Sequence, residues 1–429
     1  MKIIIIGGGA AGMFAAIAAS KNENNEILIL EKNEKLGKKL FITGKGRCNV
    51  TNACDKETFF KNIVSNSKFL YSSFNNFNNY DLMSLIEENG CKLKIERGNR
   101  VFPVSDKSSD IIKALKKAIT KKNIKIIYNA EVTKIIKNDV TNDLNNLFRV
   151  STKKNERFNC DKVVVATGGL SYSSTGSTGD GYKFARQFNI NTTKTMPSLV
   201  PFNIREVDEC LDLQGLTLKN VSIKVLDRDN DKKVLYKDFG EMLFTHFGVS
   251  GPIILSASAY IKDVKDSILS IDLKPALTFE ELDKRLQREI EVNNKKKIKS
   301  LLLKLLPSSF VNVFLKRLDD AINKDNKNLN VNIEDLNCNE INKEIRYAII
   351  NLLKDFRFVV LSKRGFDEAV VTKGGIDVKE VDPKTMESKS IKGLYFVGEV
   401  LDIDALTGGF NITIAATTGF TAGKNLCEI

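Results

Sequence analysis

The fold of the first domain is decided by the amino-terminal stretch Lys2-Ile3-Ile4-Ile5-Ile6-Gly7-Gly8-Gly9-Ala10-Ala11-Gly12. The apolar run predicts a strand, the glycines predict a tight turn, and Met13 to Ser20 predicts a helix. In such a G-x-G-x-x-G turn, Gly7 permits the sharp bend, Gly9 lets a pyrophosphate approach the backbone, and Gly12 lets the helix pack closely. The free amides at the start of the helix favour negative charge. The stretch therefore predicts a nucleotide-binding βαβ unit.

An acidic residue follows the second strand of this unit. The apolar stretch Glu26 to Leu30 ends in Glu31, which lies 19 residues after Gly12, and an acid at this point accepts hydrogen bonds from ribose hydroxyls. A glycine-rich turn without a ligand is the alternative. The ordered succession of strand, turn, helix, strand and acid favours a dinucleotide, with NAD and FAD as equal candidates on this evidence alone.

The length and composition indicate a globular protein of several domains. At 429 residues the chain exceeds what one compact core holds, and its apolar fraction is 42%. No stretch reaches the ~18 apolar residues that suggest a membrane-spanning helix. The seven cysteines lack C-x-x-C spacing, which favours reduced thiols in a cytoplasmic protein. With His246 as the one histidine, we expect no metal site.

The net charge of +13 leaves two interpretations open. A basic balance is typical of contact with nucleic acid or with an anionic membrane surface, whereas a compositional bias toward lysine and asparagine produces the same balance. The lysines are spread along the chain, and one tight cluster, Lys295 to Lys297 with Lys299, lacks interleaved aromatic residues. We interpret that cluster as a solvated helix end and expect neither nucleic acid nor membrane as a partner.

The pattern along the chain predicts an α/β protein whose first domain is interrupted. Strand and helix signals alternate up to the β-branched strand Asp161 to Ala166, which is typical of a parallel sheet. From about Thr192 short alternating strands predict a β-rich insert, and from Thr278 the apolar period becomes helical. We expect a discontinuous dinucleotide domain of residues 1–191 and 355–429, a β-rich insert of residues 192–277, and a helical subdomain of residues 278–354.

A polar loop, Gly37 to Asn52, follows the ribose-binding strand. Its backbone amides suit the pyrophosphate and ribityl chain of a flavin dinucleotide, with Arg47 as a cation, and an ordinary surface loop is the alternative. Cys48 and Cys54 stand where flavin disulfide reductases carry a redox pair, but five residues separate them instead of four, and the chain lacks a second G-x-G-x-x-G. We therefore interpret Cys48 as a small, semi-buried residue near the cofactor.

Two further glycine turns are placed to meet the same cofactor. The turn Ala166 to Gly169 ends a strand at its carboxyl edge, where cofactors lie in open α/β sheets, and Asp180 opens the next helix. Gly398-Glu399 and Leu406 to Asn411 precede a small-residue helix whose first amides can meet an anionic flavin ring. Glu399 is suited to hold ribityl hydroxyls. Together with the interrupted domain, these turns favour FAD over NAD.

His246 is a candidate proton carrier. It lies among glycine and hydroxyl residues in the run Leu243 to Pro252, and histidine is the side chain that ordinarily changes charge near neutral pH. It is therefore suited to give or take a proton beside a flavin. A hydrogen-bonded structural histidine is the alternative.

Together these segments resemble the BaiN-like flavoproteins, also known as aminoacetone oxidase-like FAD-binding enzymes. The resemblance runs from end to end and is carried by Gly7 to Gly12, Gly44 to Asn52, Gly98 to Pro103, Ala166 to Gly169, Thr175 to Gly181, Phe244 to Pro252, Val371 to Gly375, and Gly398 to Asn411. Lys45 stands where the family commonly has glycine, and Asn99 is inserted before Arg100. The resemblance implies a glutathione-reductase-like FAD-binding Rossmann domain, interrupted by a β-rich insertion with a helical subdomain, and redox chemistry without a firm substrate.

The sequence thus predicts an FAD-dependent oxidoreductase acting on a small molecule, with NAD(P)H binding only transiently. The candidate catalytic residues are His246 and Lys373, next to a pocket shaped by the insert. The candidate cofactor-binding residues are Gly7, Gly9, Ala10, Ala11, Gly12, Glu31, Lys32, Thr43, Gly46, Arg47, Cys48, Asn49, Val132 (through its backbone), Ala166, Thr167, Gly168, Asp180, Gly398, Glu399, Gly408, Gly409, Phe410, Asn411 and Ile412. A flavin-dependent RNA-modifying enzyme and a non-catalytic flavin-binding sensor are the alternatives, and the substrate, the electron partner and the oligomeric state stay open.

Overall fold

The chain folds into two compact units. The computed structural model describes residues 1–120, 124–138, 147–230, 232–325 and 333–427. One unit combines Met1–Ser198 with Gly365–Ile429, and the other is Leu199–Arg364. Within the described ranges, no helix has both the length and the apolar character that crossing a bilayer requires.

The strands are numbered in chain order. They are β1 Lys2–Ile6, β2 Glu26–Leu30, β3 Thr51–Asn52, β4 Leu93–Glu96, β5 Arg100–Pro103, β6 Ile124–Ile127, β7 Val132–Lys137, β8 Phe148–Thr152, β9 Arg157–Cys160, β10 Lys162–Val165, β11 Met196–Ser198, β12 Phe202–Ile204, β13 Thr217–Leu226, β14 Val234–Thr245, β15 Gly248–Ser250, β16 Ile268–Asp272, β17 Phe356–Lys363, β18 Val371–Lys373 and β19 Leu394–Phe396.

The helices are numbered in the same way. They are α1 Ala10–Ala19, α2 Lys38–Ile42, α3 Lys56–Lys61, α4 Tyr71–Asn76, α5 Asn79–Glu88, α6 Ser108–Thr120, α7 Asp180–Gln187, α8 Val207–Asp212, α9 Pro252–Tyr260, α10 Phe279–Val292, α11 Ile298–Leu302, α12 Ser308–Asp325, α13 Lys343–Lys354 and α14 Phe410–Asn425.

The first unit is built on a five-stranded parallel sheet in the order β19-β10-β1-β2-β6. The side chains of Ile3 to Ile6 in β1 and of Val163 to Val165 in β10 are buried. Parallel strands are covered on both faces and therefore appear in a sequence as unbroken apolar runs. The carboxyl ends of β1, β2 and β10 meet at one edge of this sheet, so the turns that follow them lie together.

Helices α1 and α14 pack through small residues with their backbones in close contact. A Cβ added to Gly419 would collide with the carbonyl oxygen of Ala11, and one added to Gly423 with that of Ala15. From the first contact to the second, the position moves forward by four residues in both helices, so the two helices run in the same direction. Phe410 begins α14 nine residues before Gly419, which carries this N-terminus about 13 Å beyond the first contact at ~1.5 Å per residue.

The second unit contains a closed barrel of β12-β15-β14-β13-β16-β17 together with helices α8 to α13. Its core holds fully buried aromatic rings, among them Phe244, Phe310 and Phe356. The capping box predicted at Thr278 is formed at the start of α10, where Thr278 and Glu281 bond each other's backbone amides. The β-rich and helical parts of the insert thus belong to one compact unit.

The borders of the units differ from the expected ones for identifiable reasons. β17 closes the barrel by pairing with β16 and β12, although residues 355–429 were expected in the dinucleotide domain. A strand's alternating pattern does not reveal which sheet it joins, and β12 lies some 150 residues upstream in the chain. At the other border, β11 pairs with β18 inside the first unit, which extends that unit from residue 191 to Ser198.

Candidate functional site

The glycine turn after β1 leaves open space where a pyrophosphate is expected. Gly7 has φ +105, and a Cβ there would lie 2.5 Å from the carbonyl oxygen of Ala166. A Cβ on Gly12 would collide with the carbonyl oxygen of Gly7, whereas one on Gly9 would meet no atom within 4 Å. The turns after β1 and β10 are therefore brought together, and the space over Gly9 fits the phosphate groups of a dinucleotide.

Glu31 is buried and braces the glycine turn. Its carboxylate accepts hydrogen bonds from the amide of Gly8 at 2.6 Å, from the backbone amide of Asn33 at 2.8 Å and from the side-chain amide of Asn33 at 2.7 Å. A carboxylate has about four lone-pair sites, so Glu31 retains one site, on its Oε2, for a ribose hydroxyl. Ala130 donates its amide to the carbonyl of Glu31 at 3.0 Å, which places the segment leading to Val132 beside this acid.

Lys32 and Asp180 pair with each other. Their ion pair is 2.6 Å long, and Lys32 also donates to Thr178 at 2.7 Å. Burial alone would raise the pKa of Asp180, but hydrogen bonds from Lys32 and Lys183 hold that pKa below its usual value. The pair fastens the loop after β2 to the start of α7, and a direct contact of either residue with the cofactor stays a prediction.

Helices α1 and α14 both begin at a glycine without a side-chain cap. Neither Gly9 before α1 nor Gly409 before α14 provides a capping side chain, so the backbone N–H groups at the start of both helices remain available as hydrogen-bond donors. The positive end of a helix favours a nearby anion. Since α14 begins about 13 Å beyond its contact with α1 at ~1.5 Å per residue, the two ends suit an extended ligand with a pyrophosphate at one point and an anionic ring further along.

The polar loop predicted to wrap the cofactor is joined to the turn before α14. Thr51 and Thr413 share a hydrogen bond of 2.7 Å between their hydroxyls, and the side-chain amide of Asn52 donates to the carbonyl of Gly408 at 3.3 Å. In the amide orientation that satisfies both of its ends, Asn49 accepts from the amide of Gly409 at 3.2 Å. Two motifs some 360 residues apart in the chain thus form one wall of the site.

Arg47 is engaged by carboxylates of the neighbouring hairpin. Its guanidinium lies 2.5 Å from Glu96 and 2.6 Å from Asp106, and it stacks over the ring of Phe102 at 4.1 Å. These partners already balance its charge, so Arg47 positions the loop, and its predicted contact with the cofactor stays a prediction. Gly46, with φ +83, has open space at its Cβ position.

Cys48 is fully buried and occupies the left-handed region with φ 59. Its amide bonds the carbonyl of Thr43 at 3.0 Å and so closes the loop. Burial raises the pKa of the Cys48 thiol to about 12, and a thiol in this state is a poor nucleophile. Cys48 and Cys54 are both free thiols.

Glu399 links three elements instead of facing open space. Lys39 forms an ion pair with it at 2.5 Å, the hydroxyl of Ser171 donates to it at 2.6 Å, and the amide of Thr372 donates at 2.9 Å. Sequence reasoning missed Lys39, Ser171 and Thr372. Lys39 stands in the predicted loop, but its partner is 360 residues away, which no local pattern reveals.

The remaining predicted residues around α14 are held by contacts within the first unit. Phe410 is buried against the ring of Phe59, with centroids 5.6 Å apart, and the side chain of Asn411 bonds both the amide and the carbonyl of Ala405. Ile412 is half-buried. The amide of Gly398 donates to the hydroxyl of Thr418 at 2.9 Å. These contacts fix the turn so that its amides keep one direction.

A buried carboxylate that sequence reasoning missed lies near Lys373. Asp404 is inaccessible to solvent; Ser198 donates to one of its oxygens at 3.0 Å, and the other oxygen has no hydrogen-bond partner among the described residues. Burial raises the pKa of Asp404, while the charge of Lys373 opposes that shift. The cluster is suited to hold or exchange a proton.

His246 belongs to the second unit. It is exposed in the turn between β14 and β15, and its ring meets that of Phe247 edge-on with centroids 4.9 Å apart. Lys373 belongs to the first unit, where β18 pairs with β11. The catalytic roles of both residues stay predictions.

Comparison with known proteins agrees with this architecture. The family model described as HI0933-like protein Rossmann domain matches residues 1–425. A curated relative from Haemophilus influenzae, named ribosomal RNA dihydrouridine synthase, is 30% identical over 99% of this chain and 98% of its own length. One from Clostridium scindens, named 3-dehydro-bile acid delta(4,6)-reductase, is 27% identical over 100% of this chain and 99% of its own length.

A solved structure shares the fold. It is a 3-ketosteroid-delta4-(5alpha)-dehydrogenase from Rhodococcus jostii RHA1, with a TM-score of 0.51 and 13% identity, and the match covers 100% of this chain and 96% of that chain. The predicted Rossmann-type FAD-binding fold, the cofactor and the family resemblance are confirmed. The chain belongs to the HI0933-like Rossmann-domain family, and it is an FAD-dependent oxidoreductase.

Proposed function

We propose that this enzyme reduces a carbon–carbon double bond conjugated with a carbonyl group. Dihydrouridine is uridine with a saturated bond next to a ring carbonyl, and the delta(4,6) bonds of a 3-dehydro steroid are conjugated with its 3-oxo group. The names of the two relatives therefore describe one chemistry. When bound, FAD would supply the hydride from its reduced form, which NAD(P)H would regenerate in each cycle.

The observation that carries this proposal is the uncapped N-terminus of α14, which hydrogen bonds join to the wall of Asn49 to Asn52. The amides of Phe410, Asn411 and Ile412 would meet the edge of the flavin ring. A helix N-terminus stabilises a neighbouring anion by ~0.3–1 kcal/mol, or up to ~2 kcal/mol when partly buried. This arrangement favours the reduced, electron-rich form of the cofactor, which a reductase must populate.

The reaction also needs a proton at the carbon next to the carbonyl group. Lys373 is the candidate donor in the first unit, with Asp404 as the neighbouring group that holds its charge and replaces its proton. His246 is the candidate in the second unit. Removing a general acid typically lowers a rate by ~10²–10⁴-fold, so Lys373→Met and His246→Asn can be told apart by which of them has that effect.

The test begins with the purified protein, which should carry FAD. We expect NADH or NADPH to bleach the flavin under anaerobic conditions, and a conjugated enone to restore its colour with saturation of the carbon–carbon bond, detected by mass spectrometry. The same turnover is then measured for Lys373→Met and His246→Asn. A flavin that is reduced only by amines, and reoxidised by no enone, would refute the reductase proposal.

A second candidate is the reduction of uridine in ribosomal RNA. Two observations favour it: the name of the H. influenzae relative, whose full length this chain spans, and the net charge of +13. Unmodified ribosomal RNA transcribed in vitro should gain dihydrouridine when incubated with the enzyme and NADPH. RNA that stays unmodified under conditions where an enone is reduced would exclude this candidate and leave the first.

A further inference from the structure

One basic segment of the chain surrounds the β4–β5 hairpin. Residues 92–125 hold eleven lysines and arginines against three aspartates and glutamates, while the whole chain has a net charge of +13. Basic residues also cluster elsewhere, as in residues 295–304, so this segment is one of several basic stretches along the chain. The described part of this segment forms β4, β5, α6 and the first residues of β6.

The cations of the β4–β5 hairpin fall into two groups. Lys94 shares Glu96 and Asp106 with the Arg47 guanidinium, so their charges are balanced locally. Arg97 and Arg100, at the tip of the hairpin, are exposed, and the side-chain contact of Arg100 is with the carbonyl of Arg97 at 3.1 Å. Within the described ranges neither tip arginine forms an ion pair with a carboxylate, so their charge is available to a ligand.

The tip of this hairpin is joined to the flavin end of the site by one side chain. The amide of Asn52 donates to the carbonyl of Gly98 at 3.1 Å and also to the carbonyl of Gly408 at 3.3 Å. Gly408 belongs to the turn that presents the first amides of α14. A group held at the tip is therefore adjacent to the edge at which the reacting ring of a substrate must lie.

An exposed aromatic ring flanks the same tip. The ring-bearing side chain of Tyr80 is 52% exposed, and its hydroxyl donates to the carbonyl of Ala53 at 3.2 Å. The amide of Ala53 in turn donates to the carbonyl of Asn99 at 2.8 Å. An exposed ring next to unpaired arginines is the combination that binds nucleotides, because bases stack on aromatic faces while cations follow the phosphates.

Exposed lysines lie in the segments that flank the hairpin. Lys92 precedes β4, Lys107 precedes α6, and Lys117 lies on the solvent face of α6, whereas Lys113 is paired with Asp110 at 3.2 Å. One phosphate would be satisfied by the two tip arginines alone. Further exposed cations near the hairpin suit additional phosphates of a nucleic acid backbone, which carries one charge for every ~3.4 Å of rise per strand of a duplex.

We propose that the β4–β5 hairpin is the element that recognises an RNA substrate, with Arg97 and Arg100 on its phosphates and Tyr80 stacked on a base. This inference rests on the second candidate function, the reduction of uridine in RNA. It adds the surface by which RNA is held and the point, next to Gly408, at which the strand enters the flavin site.

The test measures binding of a short, uridine-rich, single-stranded RNA to the FAD-loaded full chain over a range of salt concentrations. The slope of log K against log salt is negative, and each lost phosphate contact makes it shallower by ~0.7, so Arg97→Ala/Arg100→Ala should make it shallower by ~1.4. The matched control is Arg149→Ala/Arg157→Ala, which removes two exposed arginines from β8 and β9 and should leave the slope unchanged. Equal slopes for the two double variants would overturn the proposal.

Tyr80 gives a second, independent reading. Loss of one stacked base corresponds to about 5- to 150-fold weaker binding. We expect this loss for Tyr80→Ala, with an unchanged slope of log K against log salt. Tyr80→Phe retains the ring and should bind RNA like the native protein. Native binding by Tyr80→Ala overturns the stacking role, and uridine monophosphate competing as well as the RNA overturns the backbone role.

Reduction of an enone is measured on the same samples. Unaltered enone turnover in Arg97→Ala/Arg100→Ala supports a substrate-binding role for the hairpin. Enone turnover by a native protein that does not bind RNA at low salt overturns the hairpin proposal alone, whereas RNA binding without any flavin reduction by NAD(P)H counts against the proposed reductase function alone.

Discussion

Replacing Gly9 with alanine should separate cofactor binding from folding. The backbone at Gly9 is extended, with φ −76 and ψ −171, a conformation open to any residue, and an added Cβ would meet no atom within 4 Å. At such a compatible position, glycine to alanine stabilises a fold by ~0.4–1 kcal/mol through the unfolded chain. The apoprotein should therefore melt at or slightly above the native temperature.

The same methyl group occupies the space that fits the pyrophosphate. Crowding of this kind costs ~1–3 kcal/mol, which corresponds to an FAD dissociation constant raised about 5- to 150-fold. Gly12→Ala provides the contrast, because its Cβ would collide with the carbonyl oxygen of Gly7 and should lower the stability of the apoprotein as well.

The assay has two parts: thermal unfolding of the deflavinated protein by circular dichroism, and calorimetric titration with FAD. Gly365→Ala is the matched control, since its Cβ also meets no atom within 4 Å and no cofactor contact is expected there. Native FAD affinity in Gly9→Ala would refute the placement of the pyrophosphate. A large loss of apoprotein stability in that variant would refute the open space read from the structure.

Three further outcomes follow from the structure. Gly419→Ala should lower the free energy of unfolding in urea, because the ~1–3 kcal/mol of crowding against Ala11 exceeds the ~1 kcal/mol gained in helix propensity; unchanged stability would contradict the close packing. The pKa of Asp404 is raised by burial, so the folded state binds a proton more tightly than the unfolded state, and the stability of the protein falls as the pH rises above the ordinary value of 3.8. Asp404→Asn lacks this titration and should therefore gain stability relative to the native protein as the pH rises. A stability difference in urea titrations that does not change with pH would contradict this. Because burial raises the pKa of Cys48 to about 12, iodoacetamide at pH ~8 should spare it while labelling the partly exposed Cys427, as checked by peptide mass spectrometry; rapid labelling of Cys48 in the native state would show that the loop opens.

The nucleotide-binding unit was predictable because every local signal agrees there. Glycines at positions 7, 9 and 12, an unbroken apolar strand and the acid at Glu31 each specify the same turn, and the structure places them together. The site around α14 was also indicated by its glycines. Gly409 adopts a positive φ, which glycine readily takes in a turn, and a glycine turn before a helix can be recognised from the local sequence alone.

The partners of charged residues were not predictable. Arg47 was expected to serve the cofactor, yet its charge is balanced by Glu96 and Asp106, and Lys39 meets Glu399 across most of the chain. Ion pairs depend on which surfaces the fold brings together, and no spacing rule encodes that across hundreds of residues. The barrel strand β17 was assigned to the wrong unit for the same reason, because strand pairing over long separations leaves no local pattern.

Helices α1 and α14, whose backbones are in close contact, are synthesised far apart in time, with α1 made long before α14. At ~5–20 residues per second, α1 waits about 20–80 s before α14 exists. The unit of residues 199–364 is contiguous and can fold within that interval, while the parallel sheet around α1 still lacks β19 and its last helix. The wall that joins Asn49 to Asn52 with the turn before α14 is therefore complete only after α14 has been made, and until then α1 lacks the helix that packs against it.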